Sequence, residues 1–157
     1  MSAGALRAMS DAGPSTPRFV GATLRWSAVG LLFVLAAVAV TWPLAPKLGG
    51  GLPLGTERVA TVPLFNLWTL AWNAESASRG FDGYWQAPIF HPAADAFAFS
   101  EPQPVLGLLS AALLGLGLSP VAAYGLLLLA ALASNALLST VLLRRLGLSW
   151  LASVTGG

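Results

Sequence analysis

The side chains able to do chemistry in this chain are few, and most of them fall in one stretch. Between Ala45 and Gln103 stand the carboxylates Glu57, Glu75, Asp82, Asp95 and Glu101, the cations Lys47, Arg58 and Arg79, and the single histidine, His91. Carboxylates and an imidazole trade protons with a bound molecule when they lie within hydrogen-bond reach of it. Metal chemistry has less to build on. The chain has no cysteine, hence no thiolate site and no disulfide framework. One histidine offers nothing like the two-histidine motifs of zinc enzymes, and taken alone it reads as structural rather than catalytic. The glycine-rich run from Lys47 to Thr56 argues for tight turns, and no lysine-serine or lysine-threonine pair follows it, so a nucleotide P-loop is excluded. A net charge of only +2 reflects scarcity of charge and points to no nucleic-acid surface.

These groups need elements to hold them. A helix is expected over 63–78, with Thr61 as cap and Pro63 in its first turn. Leu64, Leu67, Trp68, Ala71 and Trp72 follow helical spacing, while Asn66, Thr69, Asn73 and Ser76 fall on another face. Glu75 and Arg79 are one turn apart and Gly80 is a natural stop. Tryptophan suits the headgroup level of a bilayer, so this helix is expected to lie in the interface rather than to cross. The prolines between Pro88 and Pro104 exclude long regular structure and would keep Asp82, His91, Asp95 and Glu101 close to the membrane surface.

The membrane itself follows from composition. With 56% apolar and 9% charged residues, the chain has too few charges to solvate a globular surface. No charged residue occurs from Trp26 to Pro46 or from Pro102 to Leu143. A span needs roughly 20 apolar residues to cross about 30 Å of hydrocarbon. The second stretch is broken at Gly115, Gly117, Ser119 and Pro120. Spans are expected at 26–44, 104–118 and 120–143, the middle one short enough to be tilted or re-entrant. Residues 146–157 resemble the start of a further, truncated span. The fold class is therefore an all-α integral membrane protein, a polytopic helix bundle with a long outer loop over 45–103. Soluble buried helices are the competing reading. A cleaved signal peptide ending at Ala37-Val38-Ala39 is another, disfavoured by the 25 residues that precede Trp26 and by the long apolar run.

Residues 1–25, rich in Ala, Ser, Gly and Pro and carrying Arg7, Arg18 and Arg25, lack apolar periodicity and are expected to be a disordered cytoplasmic tail. If all three spans cross, however, Arg144 and Arg145 end outside, against the positive-inside tendency. Ser134 and Asn135 in the third span are expected to link helices by hydrogen bonds.

Three words in the loop carry a resemblance: Pro63-Leu64-Phe65-Asn66-Leu67-Trp68-Thr69-Leu70-Ala71-Trp72-Asn73, Ala87-Pro88-Ile89-Phe90-His91-Pro92 and Ala98-Phe99-Ser100-Glu101. They resemble the first outer loop of the C-type membrane glycosyltransferases, which take sugars from polyprenyl-phosphate donors. The resemblance covers about residues 26–157. It implies a bacterial inner-membrane protein, its N-terminus cytoplasmic, that transfers a sugar with inversion at the outer face. Its partners would be the bilayer and the lipid-linked donor, with no nucleic acid. In that chemistry an outer-loop carboxylate takes the proton from the acceptor hydroxyl, while cationic groups, or in some members a divalent metal, stabilise the departing lipid phosphate.

Carried onto this sequence, the resemblance makes Glu57 and Glu101 the candidate bases, with Asp82 third. Arg58 would face the donor phosphate, and Asn66 and His91 would contact substrate. No metal ligand or other cofactor is assigned. One departure stands out: many relatives have an aspartate just before the Pro-Leu word, and this chain has Val62. The alternative is a non-catalytic polytopic membrane protein or a transporter, for which charge or interrupted helices near the midplane are expected; the spans read here carry no charge there.

Overall fold

The computed structural model describes residues 18–54 and 58–157. Those residues form five α-helices and no strand: α1 (Arg18–Val40), α2 (Thr61–Ser78), α3 (Pro104–Gly115), α4 (Pro120–Arg145) and α5 (Trp150–Thr155). Single 3-10 turns lie at Ala45–Lys47 and Ala96–Phe99. Local chemistry fixes the boundaries. Pro104 and Pro120 sit in the first turns of α3 and α4, where a missing N–H costs nothing. The Ser119 hydroxyl caps α4 by accepting from the Ala122 N–H at 3.2 Å, and Gly147, at φ +88°, terminates it after the arginine pair.

Two helices are long and apolar enough to cross a membrane. At 1.5 Å per residue, α1 with 23 residues and α4 with 26 extend about 35 and about 39 Å. Only 11% of each apolar window is buried. The core helix of a soluble protein is mostly covered, and these two helices are not. The bounds differ from the sequence expectation: the first helix begins at Arg18 and stops at Val40, because its N-terminal arginines are tolerated in a helix and Pro43 ends it. α3 is only 12 residues, about 18 Å, because Leu116–Ser119 turn the chain directly back into α4. Residues 146–157 yield the six-residue α5.

α1 and α4 lie side by side and run in opposite directions. Just beyond the end of α1, Leu44 and Leu48 pack on Gly125 near the start of α4, where an added Cβ would meet Leu48 at 2.7 Å. At the other end Trp26 meets Trp150 at 5.0 Å between ring centroids, and the Arg144 guanidinium lies 4.8 Å over the Trp150 ring. Arg25, Arg144 and Arg145 therefore share one end of the pair. Because α3 is too short to span, Arg144 and Arg145 stand at the same end of the pair as Arg25, the arrangement that the positive-inside tendency favours.

The polarity of α2 is the reverse of a water-soluble helix. Thr69, Asn73 and Ser76 are at most 1% exposed, whereas Val62 and Leu64 are each 53% exposed. Three members of the polar stripe, Thr69, Asn73 and Ser76, are turned inward, and α2 packs against α3. Close approach at Gly107 makes this possible: a Cβ there would stand 2.1 Å from the Asn73 Cβ. The Asn73 amide then donates to the Pro102 carbonyl at 2.6 Å and accepts from the Tyr84 hydroxyl at 2.7 Å. Ser134 and Asn135, by contrast, are exposed on α4 and link no helices among the described residues.

The 79–103 segment is ordered on this helix by a ring cluster. Phe97, fully buried, meets Tyr84, Trp68 and Trp72 edge-on at 5.1, 6.0 and 6.4 Å between centroids. The Trp72 indole N–H donates to the Tyr84 carbonyl at 3.0 Å. Edge-to-face packing of this kind adds about 0.5–1.5 kcal/mol per pair beyond burial, enough to shape a segment with little regular structure.

Candidate functional site

Two cavities flank this cluster. The smaller, about 220 Å³, lies where α2, α3 and α4 meet. Leu70, Leu106, Leu127, Leu128 and Ala131 give it an apolar wall, and Asn66, Glu101, Gln103 and Tyr124 bring polar groups to it. The Gln103 amide donates to the Asn66 side-chain oxygen at 2.7 Å, tying the approach to α3 onto α2. Glu101 is exposed at the rim, so its carboxylate is reachable while the wall beneath it is greasy. The wall spans Tyr124 to Ala131, the first half of α4, so the cavity sits toward the end of the helix pair away from the arginines.

The larger cavity, about 580 Å³, opens between the 81–86 segment and the start of α3. Phe81, Tyr84, Trp85, Gln86, Asp95 and Pro102 are among its lining residues. Gln86 and Asp95 are doubly joined: the glutamine Nε2 donates to the aspartate Oδ1 at 2.5 Å, and the Asp95 N–H donates to the glutamine Oε1 at 3.2 Å. Phe81, Asp95 and Gln103 all hold positive φ, at 65°, 52° and 48°. Non-glycine residues pay about 1–3 kcal/mol for such conformations and keep them where the surroundings over-determine the backbone, commonly at binding sites. Burial pushes the Tyr84 phenol above its ordinary value of 10.0, so it stays a donor to Asn73.

Of the residues nominated from sequence, the structure brings Glu101 and Asn66 to one cavity. Asp82 is exposed in the turn after α2, its N–H donating to the Arg79 carbonyl at 3.4 Å, and lines neither cavity. His91 and Arg58 are likewise exposed and line neither. Glu57 lies outside the described residues. No three His, Cys, Asp or Glu side chains converge to hold a metal among the described residues. Sequence reasoning missed Gln103 and Tyr124, and the pairing of Gln86 with Asp95. Gln103 was signalled by its place before a helix-starting proline; nothing local marks the nine-residue separation that joins Gln86 to Asp95. Comparison with known proteins finds no matching family model, no matching curated protein and no matching solved structure.

Proposed function

We propose that this chain belongs to a membrane glycosyltransferase-like protein that transfers a sugar from a polyprenyl-phosphate donor at the outer face of a bacterial inner membrane. The observation that carries the reading is the small cavity: an apolar slot walled by the long apolar α4 and the short α2 and α3, lined also by a reachable carboxylate and three further polar side chains. A lipid-linked substrate has that duality, an acyclic hydrocarbon chain joined to a hydroxyl-rich head. Glu101 is the base in this reading, taking a proton from the acceptor hydroxyl, and Asn66 and Gln103 orient the head. The arginine-bearing end of the α1–α4 pair faces the cytoplasm, as cationic flanks do. The slot and the 45–103 segment then lie toward the outer leaflet. A second reading, a non-catalytic membrane protein, draws on one observation: no cation lines the slot among the described residues, so the donor phosphate lacks a partner there.

The test is the Glu101→Gln variant of the full-length protein in proteoliposomes, assayed for transfer from polyprenyl-phosphate sugars. Loss of a general base lowers the rate about 10²–10⁴-fold, while an exposed carboxylate leaves the melting temperature within about 2 °C. A variant as active as wild type removes Glu101 from the mechanism. A wild type inert toward every donor favours the non-catalytic reading.

A further inference from the structure

The larger cavity has a composition that selects its ligand. Two of its rings are partly exposed, Phe81 at 39% and Trp85 at 46%, and both pack against a third ring. Tyr84, itself buried, packs edge-on against Phe81 at 5.4 Å and against Trp85 at 4.8 Å. The Trp85 carbonyl accepts from the Phe97 N–H at 3.1 Å, which anchors the backbone under the ring to the buried cluster. The polar part of the wall is the Gln86–Asp95 pair.

That pair is not used up by its own bonds. An amide NH₂ has two hydrogens and a carboxylate about four acceptor positions. One glutamine hydrogen and one aspartate oxygen meet each other, leaving a donor and several acceptors side by side at the cavity wall. Three ligand classes can be weighed against this. A hydrocarbon chain would bury the Asp95 carboxylate without partners, which is costly. An anion, including a phosphate, would meet a carboxylate and no cation, since among the described residues neither Lys nor Arg lines the cavity. A quaternary ammonium would suit rings and carboxylate but would face the free amide donor. A pyranose ring satisfies every group: its C–H face lies on an aromatic ring, and two neighbouring hydroxyls, each both donor and acceptor, match the amide and carboxylate.

We propose that the cavity formed by Phe81, Trp85, Gln86 and Asp95 binds a pyranose ring, stacked on Trp85 and hydrogen-bonded to the Gln86–Asp95 pair. A cavity of about 580 Å³ falls within the usual 300–1,000 Å³ of small-molecule sites and leaves room for substituents on the ring. The site deepens the transferase reading by giving a further sugar unit of the acceptor a place to be held, apart from the donor head that Asn66 and Gln103 orient. It rests on that reading only for biological context, because binding is measured without turnover.

The experiment is saturation-transfer NMR on the full chain in detergent, with the methyl glycosides of glucose, galactose and mannose as probes. With about 13 heavy atoms, each should bind with a dissociation constant on the order of 1 mM. Signal is expected for at least one sugar, strongest at the protons of one ring face. Trp85→Ala and Asp95→Ala should each lower that affinity at least tenfold, and Glu101→Gln should leave it unchanged. Phe81→Ala, at a second exposed ring, serves as the independent variant, and unchanged melting shows that the fold persists. The proposal is overturned by absence of signal from all three sugars, by signal that survives Trp85→Ala and Phe81→Ala together, or by tetramethylammonium binding where the sugars do not. Loss of sugar transfer in Glu101→Gln with intact sugar binding separates this site from the base; intact transfer with no sugar binding rejects this site alone.

Discussion

Replacing Asn73 by alanine tests the inward-facing polar stripe where it carries most. Asn73 is 1% exposed, and its side chain serves two groups outside its own helix, the Pro102 carbonyl at 2.6 Å and the Tyr84 hydroxyl at 2.7 Å. The Thr69 carbonyl, its third partner, belongs to α2 and keeps its helical bond. Alanine therefore orphans one acceptor and one donor. A buried polar group left unmade costs about 1–3 kcal/mol; with both groups near the edge of the cluster, about 2–4 kcal/mol in total is expected. For a chain of 157 residues this lowers the melting temperature by roughly 4–16 °C. The measurement is thermal unfolding in detergent micelles, with exposed Asn135→Ala as the control that should change nothing. Alkaline pH probes the same bond. Because burial raises the Tyr84 pKa above 10.0, the unfolded phenol ionises first, so the folded state holds more protons in the window above about 10. The stability from the neutral phenol is complete below that pH and is lost as pH climbs toward the folded value. Tyr84→Phe should show a shallower alkaline decline than wild type. Asn73→Ala melting within about 2 °C of wild type would refute the inward stripe as a source of stability.

Two further outcomes follow from the packing and the pairing of helices. Gly107→Ala should destabilise by about 1–3 kcal/mol despite alanine's better helix propensity, since its Cβ would stand 2.1 Å from the Asn73 Cβ and must push α3 off α2; Gly115→Ala, with open space around it, should be neutral or stabilising in the same melts. Since the chain has no cysteine, single cysteines at exposed Ala93 and Leu146 can be labelled cleanly in intact cells with an impermeant thiol reagent. Ala93→Cys should react and Leu146→Cys should not, and equal labelling at both would break the antiparallel two-crossing arrangement.

How much of this was legible in the residues depends on which force each segment answers to. The two long helices announce themselves, because charge-free runs of that length are long and apolar enough to cross a bilayer and their ends are marked by arginine and proline. The start and stop of α2 were readable for a similar reason, through Pro63 and Gly80, although Thr61 lies inside the helix and Ala60, not Thr61, stands at the cap with no side-chain bond. Which way α2 faces was not. Helical spacing shows that Asn66, Thr69, Asn73 and Ser76 share a stripe, but the same stripe serves equally well against water and against another helix in lipid. The deciding residue is Gly107, on a different helix, whose missing side chain admits Asn73. The candidate site divides in the same way. Glu101 is visible as a carboxylate beside an apolar helix, whereas its neighbours Asn66 and Tyr124 reach it only because α3 folds back on α4 and α2 closes over both.

The short α3 joins these points into one argument. A 12-residue helix is too short to cross about 30 Å of hydrocarbon, whereas α4 is long and apolar enough to do so. The same shortness sets the first turn of α3 beside the first half of α4, so that Glu101 and Gln103 line one cavity with Leu127 and Leu128. A full-length helix at 104–118 would have separated Arg144 and Arg145 from Arg25. The break at Gly115, Gly117, Ser119 and Pro120 thus fixes both the charge arrangement of the pair and the depth of the carboxylate, and lengthening α3 by two turns should disturb the two together.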